Sequence, residues 1–328
     1  MKIKNGFLLP VLVAGLMTSC LKDDLQEQID QHDRAFNELK EEYGFTEDEN
    51  IGENIYVKIT DSTDFRNGQK VNSNQNFIVI DYVGRNPEAG VFDATREVDS
   101  RNANLFRKDI IYGPIRLPVS HTFTGFSKAI RFMSEGDAAL MLFPYDQAYY
   151  DYQPVIYDIK LYEVIDNIDL YDSLQMLTYM HMLGYPFDTM YFENSPPVYY
   201  KTIATGEEMA DTISSGDSVK ISLYAYYVET NPSYVDSVPG RQFFPINESG
   251  DQVTFLIGNN LFPVTEIINI SVRNMKVGET RLVVSHSDYN YGDGGFMHPY
   301  VSKFIVPPHM PVHYKIKLLE IIKTNNAY

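Results

Sequence analysis

The chain has one cysteine and no tryptophan in 328 residues, and its bases are scarce, with 27 Lys and Arg against 44 Asp and Glu. A lone cysteine excludes any disulfide within the chain. The net charge of −17 argues against nucleic-acid binding, which needs clustered Lys and Arg to neutralise phosphates. It argues equally against electrostatic adsorption to anionic lipid. The most apolar run, Phe7 to Met17, falls far short of the roughly 20 residues that span a bilayer. Neither a Gly-rich phosphate loop, a nucleophile elbow nor a Cys–His dyad is present. His286, His298, His309 and His313 are close in sequence, but Pro311 keeps the last two from the helical spacing of a zinc pair. Asp293-Gly-Gly lacks the run of oxygen ligands of a calcium loop and reads as a turn. No metal and no cofactor are therefore expected, and the lack of tryptophan counts against a glycan-binding platform.

What is present begins with an N-terminal address. Lys2 and Lys4 precede the short apolar run, Thr18 and Ser19 follow it, and Cys20 comes next. This order reads as a signal peptide over residues 1–19. Leu-Met-Thr-Ser-Cys resembles a loose lipobox, which gives the single thiol a use as a lipid attachment point. Two or more acyl chains on Cys20 would hold the protein to a membrane without help from charge. Loss of residues 1–19 removes two lysines and takes the net charge from −17 to −19. Lys22-Asp23-Asp24 resembles the export signal of surface-exposed lipoproteins of Bacteroidota. The expected location is the outer membrane, lipid-anchored and exposed at the cell surface.

The body of the chain is written twice. Residues 129–150 align without a gap on 271–292, so that Met133, Gly136, Asp146 and Tyr149 fall on Met275, Gly278, Asp288 and Tyr291 at a constant offset of 142. A repeat of this length is one domain present twice. An acidic linker with an amphipathic helix, 20–52, leads into a first domain, 53–165. A linker helix, 166–195, leads into a second, 196–325. The helix patterns are Leu25, Ile29, His32, Phe36, Leu39 and Tyr43, and Leu170 to Leu183 ended by Gly184 and Pro186. His32 and His181 on these helices read as packing or surface residues. Within each copy an opening strand (54–59, 197–202) precedes a second (76–85, 218–227). Next come a short helix with one apolar face, a Gly turn, a strand, and a closing strand of strict alternation. Period-two strands around one short helix predict an α+β fold, an antiparallel sheet covering a helix.

In order, Tyr82, Gly84, Arg85, Gly90, Phe92, Asp93, Phe126, Met133, Gly136, Pro144, Ala148 and Tyr149 make a pattern that resembles the FKBP-type prolyl isomerase family. The resemblance covers about residues 53–165 and, through Lys276-Val-Gly-Glu-Thr-Arg and Ile305-Val-Pro-Pro-His, about 196–325. It implies two FKBP-like domains, each a sheet half-wrapped around its short helix and each preceded by a linker helix. In copy one it implies a proline pocket of Tyr82, Phe92, Asp93, Phe123, Phe126, Tyr149 and Tyr157. Phe126 stands at the floor, and Phe123 where the family offers a backbone N–H. The family's long lid is reduced here to Asp151-Tyr-Gln-Pro. Copy two keeps a lid, Gly292 to His309, and its degenerate pocket would hold Tyr291, Ile305, Val306 and Tyr314. Leu223 and Ile268 there replace the first tyrosine and the floor aromatic, and the Phe-Asp pair has no evident counterpart.

With 25 tyrosines in the chain, most must be sheet and core residues. Two functions follow from the resemblance. One is a surface prolyl isomerase with chaperone character, weakly active and mainly in copy one, acting on outer-membrane or exported proteins. The other is a non-catalytic FKBP-like scaffold subunit of an outer-membrane protein assembly or export complex. Tyrosine-rich surfaces suit such interfaces. Both have protein partners, a membrane reached through the lipid, and no nucleic acid.

Overall fold

The computed structural model describes residues 10–62, 68–149, 153–193, 195–207, 213–235, 237–245 and 250–323, with side chains from residue 26 on. The first nine residues of the expected signal peptide, the Cys20 side chain and residues 150–152 of the shortened lid lie outside the described residues. Helix α1 spans Pro10–Glu42 without a break. By propensity alone Pro10 and Gly15 would weaken such a helix. The helix runs on from Pro10, the first residue described, through Gly15. A single interior Gly costs only about 1 kcal/mol. Among the described residues no helix is long and apolar enough to cross a membrane.

The first copy contains β1 (Tyr56–Ser62), β2 (Phe77–Asn86), β3 (Gly90–Ala94), helix α2 (Glu97–Asn102), β4 (Ile115–Pro118), helix α3 (Thr124–Ala129), β5 (Asp137–Phe143) and β6 (Val155–Ile165). Its sheet runs β1-β5-β6-β2-β3, with β4 also paired to β2. Helix α4 (Ile168–Leu183) follows, capped by the Asn167 side chain, which accepts from the Leu170 N–H, and ended by Gly184 in the left-handed region. The second copy contains β7 (Asp188–Met190), β8 (Val198–Ala204), β9 (Ser218–Tyr227), β10 (Gln242–Phe244), β11 (Gln252–Leu256), helix α5 (Glu266–Val272), β12 (Thr280–Ser285), β13 (Phe296–Met297), β14 (Phe304–Val306) and β15 (Val312–Ile322). Its sheet runs β7-β8-β12-β15-β9-β10, with β11 also on β9. Apart from β7 and the small β13–β14 pair, the two strand orders are identical. The chain is α+β, with two antiparallel sheets of one topology.

The alternation read from the sequence sets which side chains face each helix. In the closing strands Tyr157, Ile159 and Leu161 are buried, as are Tyr314, Ile316 and Leu318, whereas Lys315 and Lys317 are exposed. A helix as short as α3 or α5 is not stable alone in water. Each is held by an apolar face that continues into the turn after it: Phe126 and Ala129, then Ile130 and Met133, in one copy, and Ile268, Ser271 and Val272, then Met275, in the other, all buried. Burying each large apolar side chain among them is worth roughly 1.5–3 kcal/mol. The leading helices cover the opposite faces. Phe36 and Leu39 of α1 pack with Phe45, Tyr56, Leu142 and Ile156. Met176, Tyr179 and Met180 of α4 pack with Val228 and Val284.

The repeat is clearest at the turn after the helix. Gly136 and Gly278 both have positive φ, 88° and 85°, which favours glycine there. Their N–H groups donate to Leu161 and Leu318, each at 2.8 Å. Asp137 accepts from the Ser134 N–H at 2.7 Å, and Glu279 accepts from the Lys276 N–H at 3.0 Å. A longer acid thus does the same work in copy two.

By contacts the chain divides into two compact units, Met1–Asn74 with Tyr82–Ala94 and Ser120–Leu161, and Gln75–Asp81 with Thr95–Val119 and Tyr162–Tyr328. Each candidate site below lies inside one unit.

Candidate functional site

In the first unit the ring of Tyr157, on β6, is the hub of an aromatic box. Its centroid lies 5.6 Å from that of Tyr82, 6.0 Å from Phe92, 5.8 Å from Phe123, 6.1 Å from Phe126 and 6.2 Å from Phe143. The elements deliver these rings for simple reasons. Tyr82 and Gly84 share the inward parity of β2, and Phe143 ends the inward parity of β5. Phe123 precedes the first residue of α3 with extended backbone, and Phe126 sits one turn later on the buried face. A Cβ on Gly84 would stand 2.9 Å from Phe92 and 3.0 Å from Tyr157, so only glycine lets the box close at this point. Tyr149 completes the rim. It is 43% exposed, 5.2 Å from Phe123 and 6.1 Å from Phe92 at right angles.

Two polar contacts thread the box. The Tyr82 hydroxyl donates to Asp93 Oδ2 at 2.6 Å. The hydroxyls of Tyr149 and Tyr157 share a hydrogen bond of 2.9 Å. Burial, then the Asp93 carboxylate, holds the Tyr82 phenol well above its ordinary range. Burial, then Tyr149, does the same for Tyr157. Both phenols therefore stay protonated at neutral pH. All seven residues expected for the first pocket are gathered here. Phe143 is a further ring of the box, which the resemblance does not name.

The corresponding place in the second unit is built differently. Gly84 faces Asp93 across β2–β3, and Ala225 faces Phe244 across β9–β10. The counterpart of Asp93 is thus Phe244, which the sequence hid behind an irregular register between Gln242 and Phe244. Leu223 and Ile268 are fully buried. Tyr227 stacks on Phe243 at 5.2 Å, and its hydroxyl donates to the Ile305 carbonyl. Of the four residues expected for this pocket, Ile305 and Val306 lie on β14, which packs inward rather than standing as a lid, Tyr314 lies on β15, and all three belong to the buried core. Only Tyr291 lines the pocket found here, a cavity of about 200 Å³ that also touches Phe262, Thr265, Glu266, Asp288 and Phe296. Phe262 and Phe296 stack in parallel at 4.4 Å at its edge.

Among the described residues no group of three or more His, Cys, Asp or Glu could hold a metal. The histidines are engaged singly. His286 is 3.2 Å from Asp288, His298 3.1 Å from Asp109 and His309 3.4 Å from Asp293. His32 packs its ring on Phe36 and Tyr145.

Residues 210–319 match the family of FKBP-type peptidyl-prolyl cis-trans isomerases. The match falls within the second copy, and the first copy shares its strand order. The chain carries two FKBP-like domains. Among solved structures it is similar to the three FKBP domains of wheat FKBP73, at 15% identity over 82% of this chain and 95% of that one, with a TM-score of 0.31. It is similar to a peptidyl-prolyl cis-trans isomerase of Pseudomonas syringae pv. tomato, at 13% identity over 48% of this chain and 97% of that one, with a TM-score of 0.33. It is also similar to the N-terminal domain of FKBP42 of Arabidopsis thaliana, at 16% identity over 42% of this chain and 95% of that one, with a TM-score of 0.31. No curated protein matches the chain.

Proposed function

We propose that the first unit binds proline-containing protein segments in the box around Tyr157 and weakly accelerates their cis–trans exchange. The carrying observation is the closed set of rings on Tyr157 together with the Tyr82–Asp93 and Tyr149–Tyr157 hydrogen bonds. The barrier to X-Pro rotation comes from amide resonance and is about 18–20 kcal/mol. The resonance form is charge-separated, so removing water from the amide disfavours it relative to the twisted state. The chemistry needs no nucleophile and no metal. The proline ring would lie against Phe92, Phe126 and Tyr157, and Tyr149 at the rim would meet the neighbouring residue.

The second unit supports a different use. Phe244 stands where the first unit has Asp93, and Leu223 and Ile268 are sealed in its core. This favours a binding module over a second isomerase, and with it a scaffold role beside other proteins. The proposed setting is the outer membrane, with the chain anchored through lipid on Cys20 and facing the cell exterior. Outer-membrane or exported proteins would be its clients.

The test is exchange spectroscopy on a short Ala-Pro peptide with the intact chain and with Tyr149→Ala. Faster cis–trans exchange with the intact chain, lost in the variant, supports the reading. Exchange at the rate in buffer in both sinks it.

A further inference from the structure

The cavity beside Tyr291 has the wrong chemistry for proline and the right chemistry for a cation. Its aromatic part is Phe262, Tyr289, Tyr291 and Phe296, and its acidic part is Glu266 and Asp288. The rings form a continuous wall, with Phe262 and Phe296 at 4.4 Å, Tyr291 and Phe296 at 5.7 Å, and Phe262 and Tyr291 at 6.1 Å. The two carboxylates come from separate elements. Glu266 opens α5, and Asp288 lies in the turn after β12. Both act on one wall of the cavity: after burial, the charges of Glu266 and Asp288 help to raise the Tyr289 phenol. Asp288 also meets His286 at 3.2 Å, so Glu266 is the less engaged of the two. No lysine or arginine lines the cavity.

We propose that this cavity receives one cationic side chain, a lysine or an arginine, from a protein segment bound to the second unit. Size agrees. About 200 Å³ is below the roughly 300–1,000 Å³ of sites for whole small molecules, and suits a single side chain. Chemistry agrees too. An ammonium or guanidinium gains from aromatic faces, and more where carboxylates stand within reach. The acidic chain, at −17, draws basic segments toward it. The proposal is independent of isomerisation in the first unit, since it rests on other residues and is read by equilibrium binding.

The experiment titrates the intact chain with three acetylated, amidated tripeptides, Gly-Arg-Gly, Gly-Lys-Gly and Gly-norleucine-Gly, following the ring resonances of Tyr291 and Tyr289. Saturable shifts with the arginine or lysine peptide and none with norleucine are expected, and the stronger of the two names the residue. Glu266→Gln and Asp288→Asn should each weaken binding about fivefold, the scale of a partly exposed ion pair. Glu266 is exposed, so its substitution leaves the fold intact. Phe296→Leu should weaken binding while leaving the unfolding midpoint nearly unchanged. Equal binding of the norleucine peptide, no saturable binding of either cation, or full affinity in Glu266→Gln would each overturn the proposal.

Discussion

The phenol oxygens of Tyr149 and Tyr157 lie 2.9 Å apart, one tyrosine 43% exposed at the rim and the other buried at the hub of the aromatic box. In the second copy the Tyr291 hydroxyl donates instead to the Pro263 carbonyl at 3.3 Å, and burial, then Tyr314, holds its phenol well above its ordinary range. The two tyrosines recur in both copies, but their hydroxyls find different partners.

Tyr149→Phe removes the partner of the buried Tyr157 hydroxyl. An unsatisfied buried polar group costs about 1–3 kcal/mol. Water can approach from the exposed side, so the expected loss is at the low end, about 1 kcal/mol. Urea unfolding of the variant against the parent chain measures it.

Gly84→Ala places a Cβ 2.9 Å from Phe92 and 3.0 Å from Tyr157. Overpacking of this kind costs about 1–3 kcal/mol, and here it pushes two walls of the box apart. Both stability and peptide binding by the first unit should fall. A variant with parental stability and parental binding would show that the box has room to spare.

His313 is buried between Tyr179 and Tyr226, bonded through Nδ1 to the Tyr179 hydroxyl at 3.0 Å, and its Nε2 has no partner among the described residues. Burial, then Lys315, lowers its pKa to about 3. A histidine lowered on folding binds its proton more readily in the unfolded chain. Stability is therefore complete above the unfolded value of about 6.5 and falls as pH drops toward 3, at up to about 1.4 kcal/mol per unit. Chemical denaturation at a series of pH values should show this slope, and His313→Gln should flatten it.

Arg116 and Asp172 form an ion pair at 2.6 Å, both buried, and Arg116 also donates to the His309 carbonyl at 3.1 Å. Removing one partner leaves a buried charge alone, a loss of about 3–5 kcal/mol. Arg116→Met should therefore lower the unfolding midpoint strongly. Arg116→Met with Asp172→Leu should recover much of it, as a thermal scan of both variants will show.

Much of this was legible in the sequence because it depends on parity and spacing. Tyr157, Ile159 and Leu161 alternate, Gly136 and Gly278 keep their offset, and the order of Tyr82, Phe92, Asp93 and Phe126 is intact. What was not legible depends on register and on three-dimensional return of the chain. Phe244 opposite Ala225 follows a β-irregularity that spacing does not reveal. Ile305 and Val306 look like lid residues because Pro307 and Pro308 follow them, yet β14 buries them and Tyr227 bonds the Ile305 carbonyl. Glu266 and Asp288 lie 22 residues apart, and only the folded chain brings both to one cavity.

The claim that exchange of X-Pro bonds belongs to the first copy, although the family match covers the second, is tested most directly by a pair of variants at equivalent places. Phe126→Leu changes the floor of the first box, and Ile268→Leu changes its counterpart in the second copy. Cis–trans relaxation of one Ala-Pro peptide should be faster than in buffer with the intact chain. It should slow about tenfold in catalytic efficiency with Phe126→Leu, a change of about 1.4 kcal/mol, and keep its parental value with Ile268→Leu. Relaxation that follows Ile268 and ignores Phe126 would contradict the account.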